Sequence, residues 1–126
     1  MAKQEIKIPK IVLDWTEWIG FESIEHISKD LLPKKEGVYE VKLKKDDVML
    51  TIGKSTNLRK RIRRGLVLGK VPHSTGKLIR KYEKKNISDV VVRWALTDRC
   101  CAVEEELHIK YKRDHNNELP RYTKIT

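Results

Sequence analysis

The sequence predicts an α+β domain: a small three-stranded antiparallel sheet flanked by helices, with an N-terminal helical lead-in. Three observations predict it. Two alternating apolar runs, GVYEVKL (37–43) and VMLTIG (48–53), surround the polar turn KKDD (44–47) and read as a hairpin. The β-branched segment ISDVVVRWALT (87–97) reads as a third strand. The stretches between and beyond these strands carry apolar residues at helical spacing.

Taken in order, residues 1–32 form the lead-in. Trp15, Trp18, Ile19 and Phe21, then Ile24, Ile27, Leu31 and Leu32, recur as one side of a helix would, without interleaved basic residues. They are expected to cover the core and not to stack bases. Pro33 to Gly37 breaks the pattern, and the main domain runs over 33–126. After the hairpin, Asn57 can cap a helix that carries Leu58, Ile62 and Leu66 inward. A second basic helix starts near Ser74–Thr75 and runs to Lys85. Asp98 is a plausible cap for a last helix over 99–114, and the tail NNELPRYTK (116–124) is irregular.

At 126 residues the chain is one domain long, and it carries a formal net charge of +10. The charge is unevenly placed. Between Lys54 and Lys85 twelve Lys and Arg stand against the single Glu83, an excess larger than that of the whole chain. So lopsided a field points to a polyanionic partner, a nucleic acid. No apolar run approaches the length of a membrane span. The opening MAKQEIKIPK is charged and has no apolar centre, so a secretory leader is not expected and a cytoplasmic, nucleoid-associated location is. Cys100 and Cys101 are adjacent, where a disulfide would be strained, and with His108 and His115 they do not give zinc-finger spacing.

Two residues depart from a purely structural pattern. On a wheel of about 100° per residue, Glu106 falls between Ala102 and Ile109 on one side and Val103 and Leu107 on the other, inside the apolar stripe. A carboxylate facing a core needs a metal ion, an arginine or a functional pocket. Arg61 lies beside Ile62, at the inward edge of its helix, where its planar fork can meet a carboxylate or a phosphate. TIGKST (51–56) resembles the end of a phosphate-binding loop, but Val48 stands where that motif needs its first glycine, so a nucleotide hydrolase is excluded. What remains is a Gly-Lys-Ser turn that can present Lys54 and backbone amides to a phosphate.

GVY (37–39) and TIG (51–53), followed by KSTNLRKR (54–61), resemble the signature of the GIY-YIG nuclease family, in particular the N-terminal catalytic domain type of excision-repair nucleases. AVEEELHI (102–109) is similar to that family's glutamate helix, and Asn116–Asn117 fall where a late asparagine is expected. The resemblance spans roughly residues 33–120. It implies a GIY-YIG-like fold and metal-dependent endonuclease activity, the hydrolysis of phosphodiester bonds in DNA with one Mg²⁺ or Mn²⁺ held by Glu106. Tyr39 would be the general base, Lys54 would supply charge favouring its phenolate, and Arg61 would stabilise the transition state. Asn117, or Asn116, would orient the site. Ser55, Arg59, Arg63, Arg64, Lys77, Arg80 and Lys81 would grip the backbone without reading sequence.

Thr51 stands in place of the second motif's tyrosine and keeps only a hydroxyl. Gly65 stands where a histidine or tyrosine is common, with His73 a candidate to replace it in space. Low sequence specificity is expected, with targeting by DNA structure or by a protein partner, and DNA repair is one of several roles open to it. Two further readings use the same charge. One is a catalytically silent nucleic-acid-binding module on the same fold. The other is a structural protein of a ribonucleoprotein assembly.

Overall fold

A computed structural model describes residues 1–8, 10–27, 31–68 and 75–123. His73, Ser74 and the end of the chain at 124–126 lie outside the described residues. The architecture is α+β, with a four-stranded antiparallel sheet where three strands are expected. The elements are β1 (Ile19–Gly20), α1 (Phe21–Ile24), β2 (Gly37–Leu43), β3 (Val48–Ser55), α2 (Lys60–Val67), α3 (Thr75–Tyr82), a 3₁₀ turn (Lys84–Asp89), β4 (Val90–Leu96) and α4 (Cys100–Asp114). The strand order is β1-β4-β2-β3.

The hairpin forms where the alternation places it, but its phase shifts midway. Between Val41 and Lys42 the register with β3 slips by a bulge. Val48 and Leu50 still enter the main core, whereas Thr51 now pairs with Val41 and Gly53 with Tyr39. Directly opposed residues share a face. The bulge therefore brings Thr51 and Gly53 to the side carrying Tyr39 and Val41, and sends Ile52 to the other.

The lead-in is not the expected helix. Among the described residues it has no regular structure through Trp18, adds the short strand β1, and winds into an α-helix only over the four residues of α1. The reason is the edge of β4, whose amides and carbonyls would otherwise be unpaired. Thr16 N–H donates to Trp94 O at 2.9 Å, Trp94 N–H donates to the Thr16 hydroxyl at 3.1 Å, and Ile19 and Gly20 pair with Val92 and Val91. The tryptophans pack on the protein's own cations. Arg93 lies 4.3 Å from the Trp15 ring centre and 4.6 Å from that of Trp18, while its Nε donates to Glu40 Oε1 at 2.7 Å. That contact accounts for a glutamate only 6% exposed in the central strand.

Asn57 caps α2 as expected, its side-chain oxygen accepting Lys60 N–H at 3.1 Å. Leu58, Ile62 and Leu66 are buried. The winding is of the wide π type, with Leu68 N–H reaching Arg63 O at 3.0 Å, and it also buries Gly65 and Val67. α3 crosses at Gly76, where a Cβ would meet Gly65 O and Leu66 O, both at 2.2 Å, so only glycine permits this approach. Asp98 does not cap α4; the Thr97 hydroxyl accepts Arg99 N–H at 3.2 Å instead.

The tail forms no regular element among the described residues, as expected, yet it is anchored. Tyr122 N–H donates to Leu50 O at 2.8 Å, and the Thr123 hydroxyl accepts Ile52 N–H at 3.2 Å, so the tail lines the outer edge of β3. Glu83, the lone acid of the basic stretch and 4% exposed, holds it there through Arg121 Nη1 at 3.0 Å and the Tyr122 hydroxyl. No helix among the described residues is long and apolar enough to cross a membrane.

Candidate active site and basic surface

The two strand motifs meet across the hairpin. Gly37, Val38 and Tyr39 pair with Ser55, Lys54 and Gly53. The Tyr39 ring lies directly over Gly53, where a Cβ would stand 2.3 Å from the phenol oxygen. The phenol is 6% exposed, and burial pushes its pKa up to about 12. The Arg61 guanidinium pulls it down and the Glu104 carboxylate pushes it up, so Tyr39 senses both charges. Lys54 is not among its perturbing groups. The cation that acts on the phenol is Arg61, and desolvation outweighs it.

α4 presents a different carboxylate from the one the wheel selects. Its packed face is Cys100, Val103 and Leu107, joined to Val38 and Ala95 of the sheet. Ala102, Glu106 and Ile109 are exposed, so Glu106 points to solvent. Glu104, half-buried one position beyond Val103, is near enough to the hairpin to act on Tyr39 and Lys54. Lys54 Nζ donates to Cys101 Sγ at 3.2 Å, and this bond first, with the Glu104 carboxylate as a smaller influence, holds the Lys54 ammonium above its ordinary range. His108 pins the same helix to β3, its Nε2 at 2.9 Å from Ile52 O. The spacing Cys100, Val103, Leu107 is the signal that centres the wheel correctly.

A cleft of ≈ 330 Å³, linked to Tyr39 through Arg61, is lined by Ser55, Thr56, Asn57, Lys60, Arg61 and Gly65. The Ser55 hydroxyl accepts Asn57 N–H at 3.0 Å, which fixes the turn at the cleft's wall. Arg61 is exposed and enters from α2. Thr51, 3% exposed, does not open into the cleft: its hydroxyl lies 3.2 Å from that of Thr123. Asn116 and Asn117 are exposed, at φ 56° and 64°, and reverse the chain after α4. The tail residue that reaches the motif strand is Thr123. The buried Cys100 thiol is pushed up to about 11, by burial first and then by its bond to Glu36, and it is a core group.

The basic stretch divides by task. Arg80 is used internally: its Nε donates to Val67 O and its guanidinium pairs with Glu25. Arg59 Nε donates to Leu32 O at 2.6 Å. Arg64, Lys77 and Lys81 are exposed, the last with its ammonium 5.2 Å from the Tyr82 ring centre. Arg63 is half-buried. No family model matches the chain, and no curated protein matches it.

Proposed function

We propose that this chain is a divalent-metal-dependent endonuclease that hydrolyses phosphodiester bonds in DNA, nicking with low intrinsic sequence specificity, on a GIY-YIG-like plan. One juxtaposition supports the reading. A buried phenol, Tyr39, senses a guanidinium, Arg61, and a carboxylate, Glu104, and that guanidinium lines a cleft whose charged lining is entirely cationic. Among the described residues no group of three or more His, Cys, Asp and Glu is gathered to cage a metal. The carboxylate whose charge reaches Tyr39 is Glu104, and it would serve as a single hard oxygen donor. That fits Mg²⁺ or Mn²⁺, which bind through one or two carboxylates and complete their shell with water and substrate phosphate. When bound, such an ion polarises the phosphate and offsets charge on the leaving oxygen.

The chain's own groups do the rest. Arg61 meets the negative charge that builds on the phosphoryl oxygens as water attacks phosphorus and the bond to the leaving sugar oxygen breaks. Lys60 and Arg64 draw in the backbone without reading bases. Tyr39 accepts the water's proton only as phenolate. With a pKa of about 12, that form is about 10⁻⁵ of the population at pH 7. The active fraction therefore grows as pH rises. For nicking, kcat/KM is expected to climb about tenfold per pH unit between about pH 7 and 9.5, and the climb is expected to vanish in Tyr39→Phe. A wild-type plateau below pH 9 would remove Tyr39 from the role of base.

The test of the reading is conversion of supercoiled plasmid to nicked circle, with Mg²⁺ or Mn²⁺ and with chelator, for wild type and Arg61→Ala. Metal-dependent nicking that Arg61→Ala loses is the expected result. The raised Tyr39 pKa favours a second reading, a binding module that keeps the grip and lacks the cut. Salt-sensitive binding without nicking on plasmid, branched DNA and RNA would select it.

A further inference from the structure

The Tyr39 cleft has a neighbour. Lys60 and Asn57 line both it and a second cleft of ≈ 500 Å³, whose wall is completed by Lys34, Arg59, Arg63, Arg64 and Leu68. The second cleft is lined by five cations and by no acid among the described residues. One of its lining residues, Arg63, also carries an unmet donor: its Nε is buried and has no hydrogen-bond partner. A buried donor left unsatisfied is unfavourable, and an anionic oxygen is the acceptor to which a guanidinium N–H donates most strongly. The charge is brought together from distant parts of the chain. Lys34, before β2, comes beside the first turn of α2, where Leu58 N–H reaches Lys35 O at 3.0 Å and Arg59 N–H reaches Pro33 O at 2.9 Å.

We infer that this second cleft is a dedicated phosphodiester-binding site, separate from the reacting centre, that holds the nucleic-acid backbone as it leaves the Tyr39 cleft. The inference deepens the proposed function and rests on the reading that the Tyr39 cleft takes the phosphate to be cut. Lys60, on the ridge between the two clefts, contacts both phosphates. Lys34 and Arg64 serve only the outgoing one. The ligand chemistry is a phosphodiester, which DNA and RNA supply equally.

The experiment measures binding in chelator, so cleavage does not enter. Fluorescein-labelled 20-nucleotide single strands of DNA and of RNA are titrated with wild type, with Lys34→Gln/Arg64→Gln, and with Lys110→Gln/Arg113→Gln. The last pair removes the same charge from exposed positions of α4. Each phosphate contact on a single strand contributes about 0.7 to the slope of log affinity against log salt. Losing two contacts lowers the slope by about 1.4, so the affinity lost between about 50 and about 200 mM salt shrinks about sevenfold. That change is expected for Lys34→Gln/Arg64→Gln on both strands, with less than half of it for the α4 pair. Equal slopes for the two variants would overturn the inference, because net charge alone would then account for binding. A loss seen on one strand type only would overturn it too, because a ribose or base contact would be responsible. Plasmid nicking by wild type separates the two failures. Nicking with equal slopes sinks the second cleft alone, and a slope change without nicking sinks the nuclease reading and leaves the cleft as part of a binding module.

Discussion

Glu104→Gln is expected to lower metal-dependent nicking by about 10²- to 10³-fold, the range found when a group that stabilises charge at a reacting centre is removed. Glu106→Gln is expected to stay within about twofold of wild type, as for an exposed substitution worth at most about 0.5 kcal/mol. The contrast follows from the packing of α4. Cys100 and Val103 are buried against the sheet, which leaves Glu104 half-buried and turns Glu106 toward solvent. Glu104 already acts on two groups of the site, pushing the Tyr39 pKa up and the Lys54 pKa up. Gln keeps the shape and removes the charge, so the fold is retained and the melting temperature of both variants should match wild type. Loss of nicking in Glu106→Gln with full activity in Glu104→Gln would mean that α4 binds with a different face. Activity in both would mean that no carboxylate of this helix takes part.

The error on Glu106 has a physical origin. Ala102 and Ile109 weigh as apolar on a wheel, but Ala has little side chain to bury, and Ile109 alone does not set a face. Two facing-side residues, Cys100 and Val103, decide the rotation because they meet Val38 and Ala95. The hairpin and the inward residues of α2 were legible because alternation and helical spacing are local signals that packing here respects. The lead-in was not. Its aromatics have helical spacing, yet the edge of β4 needs backbone partners, and Thr16, Ile19 and Gly20 supply them. The tail was illegible for the same reason: pairing along the edge of β3 uses backbone atoms, which carry no residue pattern. Of the charges, sequence located the basic stretch but could not say that Arg80 is spent on Val67 and Glu25. Nor could it say that Lys34 joins the basic residues of α2 in one cleft.

Gly53→Ala should damage the site and the fold through one contact. The added methyl would stand 2.3 Å from the Tyr39 phenol oxygen and 2.4 Å from the carbon that bears it. Both are far inside contact distance, so the ring must move or the hairpin must part. The ring has little room, because it is buried in the main core with Leu58 and Ile62. Overpacking of this kind costs about 1–3 kcal/mol, and a displacement of about 1 Å at a reacting group costs about 10² in rate. Gly53→Ala is therefore expected to lose about 1–3 kcal/mol of stability and about 10²-fold in nicking. A double-mutant cycle with Tyr39→Leu assigns the cause, since that change takes away the phenol oxygen and the carbon that carries it. In the Tyr39→Leu background the alanine should cost less than half of what it costs in wild type. An equal cost in both backgrounds would place the strain in the backbone of β3, and Gly53 would then owe its place to the strand and not to the phenol above it.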